Sequence, residues 1–216
     1  MNIRHALKPL ALAAALVATG SAQAAIDVYF DEASFLAAVA NAATDTFDDL
    51  IPGQAYDGPL MRSAGSYDYT VSTSPDSPIL YGAGTAGDAW LSTNIASDFI
   101  VFDGFSSDVT AVGAYVFGSD IAGDFLQRGL TVVRVSNGID TAVEFQLRAD
   151  TATYFGFVSD SPLLSFEVKT FYGQNTVVWP TVNDLTLAAA IPEPETYALM
   201  LAGLAAIGFM ARRRRS

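Results

Sequence analysis

The chain has 216 residues, no cysteine and a single histidine, His5, near its N-terminus. Between residues 25 and 190 it carries 21 acidic and five basic side chains, a formal charge of about −16. A surface this acidic repels nucleic acid and anionic lipid head groups, which excludes nucleic-acid binding. The lack of Cys and His in this region also excludes the usual Ser-His-Asp and Cys-His nucleophiles and the common zinc sites.

The N-terminus has the pattern of a secretory signal peptide. Arg4 and Lys8 supply a positive start, residues 10–18 form an apolar core, and Ala22 and Ala24 form a small-x-small cleavage site. No paired arginines precede the apolar core, so we expect the general secretory translocon rather than the twin-arginine route. Signal peptidase is then predicted to remove residues 1–24.

The region between residues 25 and 190 is long enough for one domain with its own core. A short strand is predicted at residues 27–30, followed by a helix that Asp31 caps and that runs to about residue 43. Residues 46–51 are predicted to form a strand that a Pro-Gly pair ends. The glycine-rich stretch 82–87 is interpreted as a flexible loop, because no lysine follows it as in a phosphate-binding loop.

The second half of the domain favours short strands. Asn137 and Gly138 indicate a tight hairpin between two strands. In residues 143–148 and 166–169 apolar and polar side chains alternate, which predicts apolar residues facing inward and polar residues facing outward. About nine short strands at regular spacing predict an all-β domain, an antiparallel jelly-roll-like β-sandwich with one short N-terminal helix. The predicted strands of this half are residues 99–102, 109–117, 130–135, 141–148, 153–158, 164–171 and 181–187.

Three carboxylates are candidate ligands for a structural calcium ion. Asp48 and Asp49 lie in the early strand predicted at residues 46–51 and Asp184 lies in the last one, and the first and last strands of a jelly roll can be neighbours. Oxygen ligands are those that calcium selects. The alternative is that each aspartate faces solvent or accepts a hydrogen bond in a turn. No other cofactor is expected.

Two tryptophans are candidate sugar contacts. Trp90 and Trp179 lie in or beside predicted loops, where an aromatic face can stack against a sugar ring. The alternative is that each ring fills an end of the sandwich core. Paired carboxylates alone can cleave glycosidic bonds, but no motif in this acidic region singles out an acid and a nucleophile, so we expect no enzyme activity.

The C-terminal region consists of three parts in sequence. Two prolines hold the chain extended, so that a helix can begin only after them. The uncharged run at residues 197–211 is slightly shorter than the roughly 17 to 25 residues that span a bilayer core. The arginines after it favour the cytoplasmic side of a membrane. The alternative is a buried C-terminal helix. The flanking residues are Pro192, Glu193 and Pro194 before the run, and Arg212, Arg213, Arg214 and Arg215 after it.

This tail, residues 192–215, resembles the PEP-CTERM sorting domain of exported bacterial proteins. The resemblance implies that an exosortase recognises the Pro-Glu-Pro triplet, that residues 197–211 form a transmembrane helix, and that the arginines stop transfer. We therefore expect residues 191–216 to anchor the protein transiently in the inner membrane before it reaches the cell surface or the medium. The expected role is a non-catalytic component associated with exopolysaccharide or biofilm. The alternatives are a carbohydrate-binding module and a carboxylate-dependent glycoside hydrolase.

Overall fold

In a computed structural model, two antiparallel β-sheets and one short helix form the described region between residues 26 and 191. The structure describes residues 26–172 and 176–191, together with Gly203, Leu204 and Ile207. The predicted signal peptide, the Pro-Glu-Pro triplet, most of the apolar run 197–211 and the four arginines lie outside the described residues. Within the described residues, no helix has the length and apolar character needed to cross a membrane.

The helix is shorter than predicted. After strand β1 (Ile26–Tyr29), α1 spans Glu32–Ala38, and Asp31 caps it by accepting a hydrogen bond from the Ser34 N–H at 2.8 Å. This hydrogen bond lowers the pKa of Asp31 below its ordinary value. The predicted extension to residue 43 is wrong, because the chain continues at once as strand β2 (Val39–Asp45), which pairs with the last strand. Tertiary strand pairing overrides the helix propensity of the alanines in this segment.

The described chain contains fourteen strands rather than about nine. Residues 46–51, predicted as a strand, instead form a turn in which the Leu50 N–H donates to the Phe47 carbonyl at 2.9 Å. The glycine-rich stretch 82–87 is likewise part of a β-hairpin and not a flexible loop. The remaining strands are β3 (Ala55–Asp57), β4 (Leu60–Ala64), β5 (Tyr67–Ser74), β6 (Ile79–Thr85), β7 (Asp88–Thr93), β8 (Phe99–Asp103), β9 (Ala111–Ser119), β10 (Leu130–Ser136), β11 (Thr141–Leu147), β12 (Tyr154–Ser159), β13 (Ser165–Phe171) and β14 (Trp179–Ala190).

The long strand β14 organises the larger sheet. This eight-stranded sheet has the order β1-β12-β9-β14-β7-β6-β3, and β2 also pairs with β14. The strand β9 follows one side of β14, while β7 and then β2 share its other side. Where the partner changes, a bulge places Asp184, with a φ of 50°, and Leu185 opposite a single residue of β9. The predicted antiparallel all-β fold with one helix is therefore confirmed.

The second sheet has six strands in the order β11-β10-β13-β8-β5-β4, and the core lies between the two sheets. The rings of Phe102 and Phe166 from this sheet stack at 5.6 Å inside the core. Val116 and Val182 of the eight-stranded sheet belong to the same buried cluster. Burial of apolar side chains from both sheets is what holds the two sheets face to face.

The helix α1 packs on the outer face of the eight-stranded sheet. Its Phe35 is fully buried over two glycines of β9 and β12, Gly113 and Gly156. A Cβ added at Gly156 would lie 2.5 Å from Cδ2 of Phe35, which is closer than atoms can approach. Glycine at this position therefore provides the space that the helix needs to dock.

The two predicted alternations have different outcomes. In β13, Phe166 is buried in the core while Glu167 lies on the outer face with Arg134, as predicted. The hairpin predicted at Asn137 is also present, joining β10 and β11. In β11 the prediction is wrong. Its large apolar residues face outward, because they pair with outer-face residues of β10, and they are the exposed Val143, Phe145 and Leu147.

Candidate functional site

An open cavity of about 300 Å³ lies on the outer face of the eight-stranded sheet. It is bounded by β6, β7, the last residue of β9, the loop at residues 120–123 and the first residue of β14. Its volume is at the lower end of the range found for small-ligand sites. The aromatic and polar side chains that line it include Tyr81, Ser92, Thr93, Asn94, Asp120 and Trp179.

Hydroxyl groups in and below the cavity are held by hydrogen bonds within the protein. Ser92, which pairs with Tyr81 across β6 and β7, donates from Oγ to the Pro180 carbonyl at 2.9 Å. Thr181 on β14 donates to Oγ of Ser119 at 2.8 Å, and both side chains are buried. These bonds join three strands through their side chains, so the floor of the cavity is preorganised.

The loop on one side of the cavity is closed by its own aspartate. Oδ1 of Asp120 accepts hydrogen bonds from the N–H groups of Ala122 at 2.8 Å and Asp124 at 3.1 Å. The carbonyl of Gly123 accepts a hydrogen bond from the Gly84 N–H of β6 at 3.0 Å. The loop is thereby attached to the sheet, and the carboxylate of Asp120 stands at the cavity wall.

The two predicted sugar contacts occupy different environments. Trp179 lines the cavity, and its Nε1 donates to the carbonyl of Asn94 at 3.3 Å. Trp90 does not line this cavity; its Nε1 donates to Oδ1 of Asp88 at 3.1 Å, and its ring packs edge-on against Phe117 at 4.8 Å. Only Trp179 is thus placed to contact a molecule in the cavity.

The acidic candidates divide into two groups. Oδ1 of Asp48 accepts a hydrogen bond from the Ala89 N–H at 3.2 Å, which brings the turn after β2 to the start of β7. Burial, together with the charges of Asp48, Glu32 and Asp88, raises the pKa of Asp184. Asp48 and Asp184 therefore interact electrostatically at the point where β14 changes partner.

Asp49 does not share this environment, because Arg62 of β4 binds it. The Arg62 guanidinium donates to Oδ1 of Asp49 at 2.6 Å and to Oδ2 of Asp45 at 2.7 Å. The hydrogen bonds from Arg62 lower the pKa of Asp49. Burial lowers the pKa of Arg62, but its hydrogen bonds to Asp45 and Asp49 outweigh burial, so the pKa of Arg62 is raised. The ring of Phe47 also faces this guanidinium at 5.1 Å.

The three predicted calcium ligands, Asp48, Asp49 and Asp184, are therefore not brought together as a set. Across the described residues, no group of three or more His, Cys, Asp or Glu side chains is arranged to hold a metal ion. Sequence reasoning missed the role of Arg62, the one basic residue between residues 25 and 127. That isolation among many acids was the available signal for a structural ion pair, although it did not identify the partners.

Comparison with known protein families identifies the sequence at the end of the chain. Residues 190–215 match the model of the PEP-CTERM protein-sorting motif. The tail is a PEP-CTERM motif. It marks this chain as a secreted protein that an exosortase sorts to the cell surface. Comparison with curated proteins gave no match to the chain.

The PEP-CTERM tail leaves the domain far from the cavity. Ile191, at the start of this tail and the last described residue before the Pro-Glu-Pro triplet, donates from its N–H to the Ala38 carbonyl at the end of α1, at 3.2 Å. Trp179 lies at the opposite end of the twelve-residue strand β14. At about 3.3 Å per residue, roughly 35 Å separates the cavity from the point where the PEP-CTERM tail begins.

Proposed function

We propose that this PEP-CTERM protein is a non-catalytic component of the cell-surface or extracellular matrix that binds neutral sugar units of an exopolysaccharide or biofilm. The observation that carries the proposal is the cavity beside Trp179 in a protein sorted to the cell surface. Aromatic faces and a few polar groups in a shallow cavity are the features that suit a sugar ring. The cavity lies away from the tail, so a polymer can reach it while the tail is still attached.

The charge of the domain supports a neutral sugar rather than an acidic one. Between residues 25 and 190 the formal charge is about −16, and the carboxylate of Asp120 lies at the cavity itself. Such a site accepts hydrogen bonds from sugar hydroxyls but repels uronate or sulfate groups. The indole ring of Trp179 and the phenol of Tyr81 offer apolar contact beside these acceptors.

The proposal includes the route to the cell surface and the fold type. After signal peptidase and the secretory translocon have acted, residues 197–211 hold the protein in the inner membrane until an exosortase-type enzyme processes it. The domain is a β-sandwich of jelly-roll type, which the strand orders β7-β14-β9-β12 and β8-β13-β10-β11 support. Changing Pro192, Glu193 and Pro194 to alanine tests the route. The route fails if processing and location of the protein are unaffected.

The sugar-binding test compares the two tryptophans. Exported protein is titrated with the producing organism's own exopolysaccharide, and affinity is measured by calorimetry. Trp179→Ala is expected to weaken binding about tenfold or more, as the loss of an aromatic contact at the centre of a site does. Trp90→Ala is the matched control, because Trp90 lies on the same sheet but outside the cavity. Equal affinities for the two variants would refute the proposed site.

One observation favours a second candidate, a carboxylate-dependent glycoside hydrolase. Burial, together with the charges of Asp48, Glu32 and Asp88, raises the pKa of Asp184, and such an environment suits a general acid next to a carboxylate. Reducing-sugar release from the exopolysaccharide distinguishes the candidates. The non-catalytic proposal expects no release from the unmodified protein. Release that Asp184→Asn abolishes would establish the hydrolase instead.

The calcium site predicted at Asp48, Asp49 and Asp184 remains a prediction. Its test is thermal unfolding of the exported protein in calcium and in chelator. A melting temperature that rises with calcium, and does so less in Asp184→Asn, would support a site there. Identical melting in both buffers would argue against it.

A further inference from the structure

The strand β11 forms one edge of the six-stranded sheet and carries an unusual exposed surface. In the described part of the chain it pairs only with β10. The outward side chains of Val143, Phe145 and Leu147 are 51%, 66% and 63% exposed. Lysine, proline and bulges are among the features that protect exposed edge strands, and β11 (Thr141–Leu147) contains none of these; its one charged side chain, Glu144, lies on the inner face.

The backbone of these three residues points away from β10. The Arg148 N–H donates to the Gly129 carbonyl at 2.8 Å, and the Asn137 N–H donates to the Asp140 carbonyl at 3.2 Å. Hydrogen-bonded and non-hydrogen-bonded pairs alternate along an antiparallel ladder. Because residues 140 and 148 are in hydrogen-bonded pairs, the odd-numbered residues between them are not. The N–H and C=O groups of Val143, Phe145 and Leu147 are therefore directed to the open edge.

We propose that β11 is the site at which a second copy of this protein binds, by antiparallel pairing of the two β11 strands with Phe145 on the two-fold axis. The six-stranded sheets of the two copies then form one continuous sheet. An isologous contact of this kind needs a surface that is complementary to itself. The proposal is independent of the sugar site, because β11 belongs to the other sheet.

This register satisfies both the backbone and the side chains. It places Phe145 opposite Phe145 of the second copy, and Val143 opposite Leu147, in hydrogen-bonded pairs. About six backbone hydrogen bonds then form from groups that otherwise face the open edge. On the outer face, every apolar side chain of β11 meets an apolar partner, and such cross-strand pairs stabilise a sheet.

Two neighbouring registers, with the two-fold axis at Glu144 or at Gln146, are less favourable than the register with the axis at Phe145. An axis at Glu144 would place the two Glu144 side chains directly opposite one another, and like charges in that position are destabilising. With the axis at Phe145, Glu144 lies opposite the neutral Gln146 on the inner face. An axis at Gln146 would extend the pairing to Arg148, which has a φ of 54° and lies beyond the end of β11.

Single cysteines test the contact, since the chain has no cysteine of its own. Full-length protein carrying Phe145→Cys is exported, mildly oxidised and separated on a non-reducing gel. We expect a disulfide-linked dimer, because Cα atoms about 5.5 Å apart across a hydrogen-bonded pair are within disulfide range. The controls are Ile121→Cys and Met61→Cys, whose positions are 86% and 88% exposed and hence more accessible to random collision.

The register has its own test. Val143→Cys and Leu147→Cys, carried on chains with tags of different size, are expected to form a disulfide with each other but neither with itself. Dimer yield for Phe145→Cys no higher than for Ile121→Cys would overturn the proposal. Self-linked Val143→Cys would overturn the position of the axis.

A disruptive variant provides an independent measurement. Phe145→Pro removes an N–H that faces the open edge, so the β10–β11 hairpin keeps its hydrogen bonds. We expect this variant to sediment as a monomer at concentrations where the unmodified exported protein is a dimer, with an unchanged far-ultraviolet circular dichroism spectrum. Equal sedimentation of the two proteins would contradict the proposed interface.

Discussion

Arg62 on β4 donates from Nε to Oδ2 of Asp45 at the end of β2, at 2.7 Å, and so joins the six-stranded sheet to the eight-stranded sheet. The two side chains are 13% and 7% exposed. The Tyr69 hydroxyl donates to the same carboxylate oxygen at 2.6 Å. Burial, and then the neighbouring Asp45, raise the pKa of Tyr69. One ionic group thus links three strands and both sheets.

We predict that Arg62→Ala destabilises the domain by about 3 to 5 kcal/mol, because it leaves Asp45 buried without its cationic partner. Urea unfolding of the exported protein measures the change in the free energy of unfolding. Arg134→Ala is the control, since Arg134 pairs with Glu167 at an exposed position and its loss is expected to cost about 1 kcal/mol or less. Similar losses for the two variants would show that burial does not strengthen the Arg62 pair.

We predict that Asp184→Asn stabilises the protein at neutral pH. Burial, followed by the charge of Asp48, raises the pKa of Asp184, so folding disfavours its charged form. The loss of folding stability that the charged form of Asp184 causes is complete when the pH is above the pKa of the folded state. It vanishes when the pH is below the ordinary pKa of 3.8. Asparagine also tolerates the left-handed backbone at this position. The gain should be on the order of 0.5 kcal/mol at pH 7.

Chemical unfolding at two pH values checks this prediction. The stabilising effect of Asp184→Asn should be present at pH 7 and lost near pH 3. Asp49→Asn should have the opposite dependence, because the hydrogen bonds from Arg62 lower the pKa of Asp49. Its ion pair stabilises the protein above the ordinary carboxyl pKa and is lost as pH falls through the lowered value. The same pH dependence in both variants would contradict these assignments.

We predict that Phe35→Ala costs about 3 to 5 kcal/mol, the usual effect of deleting a fully buried aromatic ring. Leu36→Ala is the matched control on the same helix, because Leu36 is 42% exposed. Its effect should be below about 1.5 kcal/mol. Thermal or urea unfolding measures both variants. Comparable losses would mean that α1 does not dock through Phe35.

We predict a late-ionising tyrosine at Tyr115. Burial, followed by the hydrogen bond to Oε2 of Glu32 at 2.9 Å, raises the pKa of Tyr115 to about 12. Its contribution to stability is complete below the ordinary pKa of 10 and is lost as pH rises through about 12. The difference between ultraviolet titrations of the unmodified protein and Tyr115→Phe isolates this phenol. Glu32→Gln, which removes the charge of Glu32, should move the pKa of Tyr115 toward 10; no movement would exclude that charge as a cause.

Local patterns in the sequence predicted the features that depend on a few neighbouring residues. Asp31 caps its helix, the Asn137 turn joins two strands, and Phe166 and Glu167 face opposite sides of the sheet. Each depends on hydrogen bonds or alternation within a few positions of the chain. The tail was also predicted from sequence, because Pro192, Glu193 and Pro194, the apolar run and the arginines are contiguous.

The tertiary structure decided the features that depend on residues distant in sequence. Pairing with β14 ends the helix at Ala38, and pairing with the outer face of β10 turns Phe145 outward. Asp49 and Asp48 are adjacent in sequence, yet one is bound by Arg62 and the other lies near Asp184. Strand order and sheet packing determine which side chains meet, and a single sequence records the residues but not those long-range pairings.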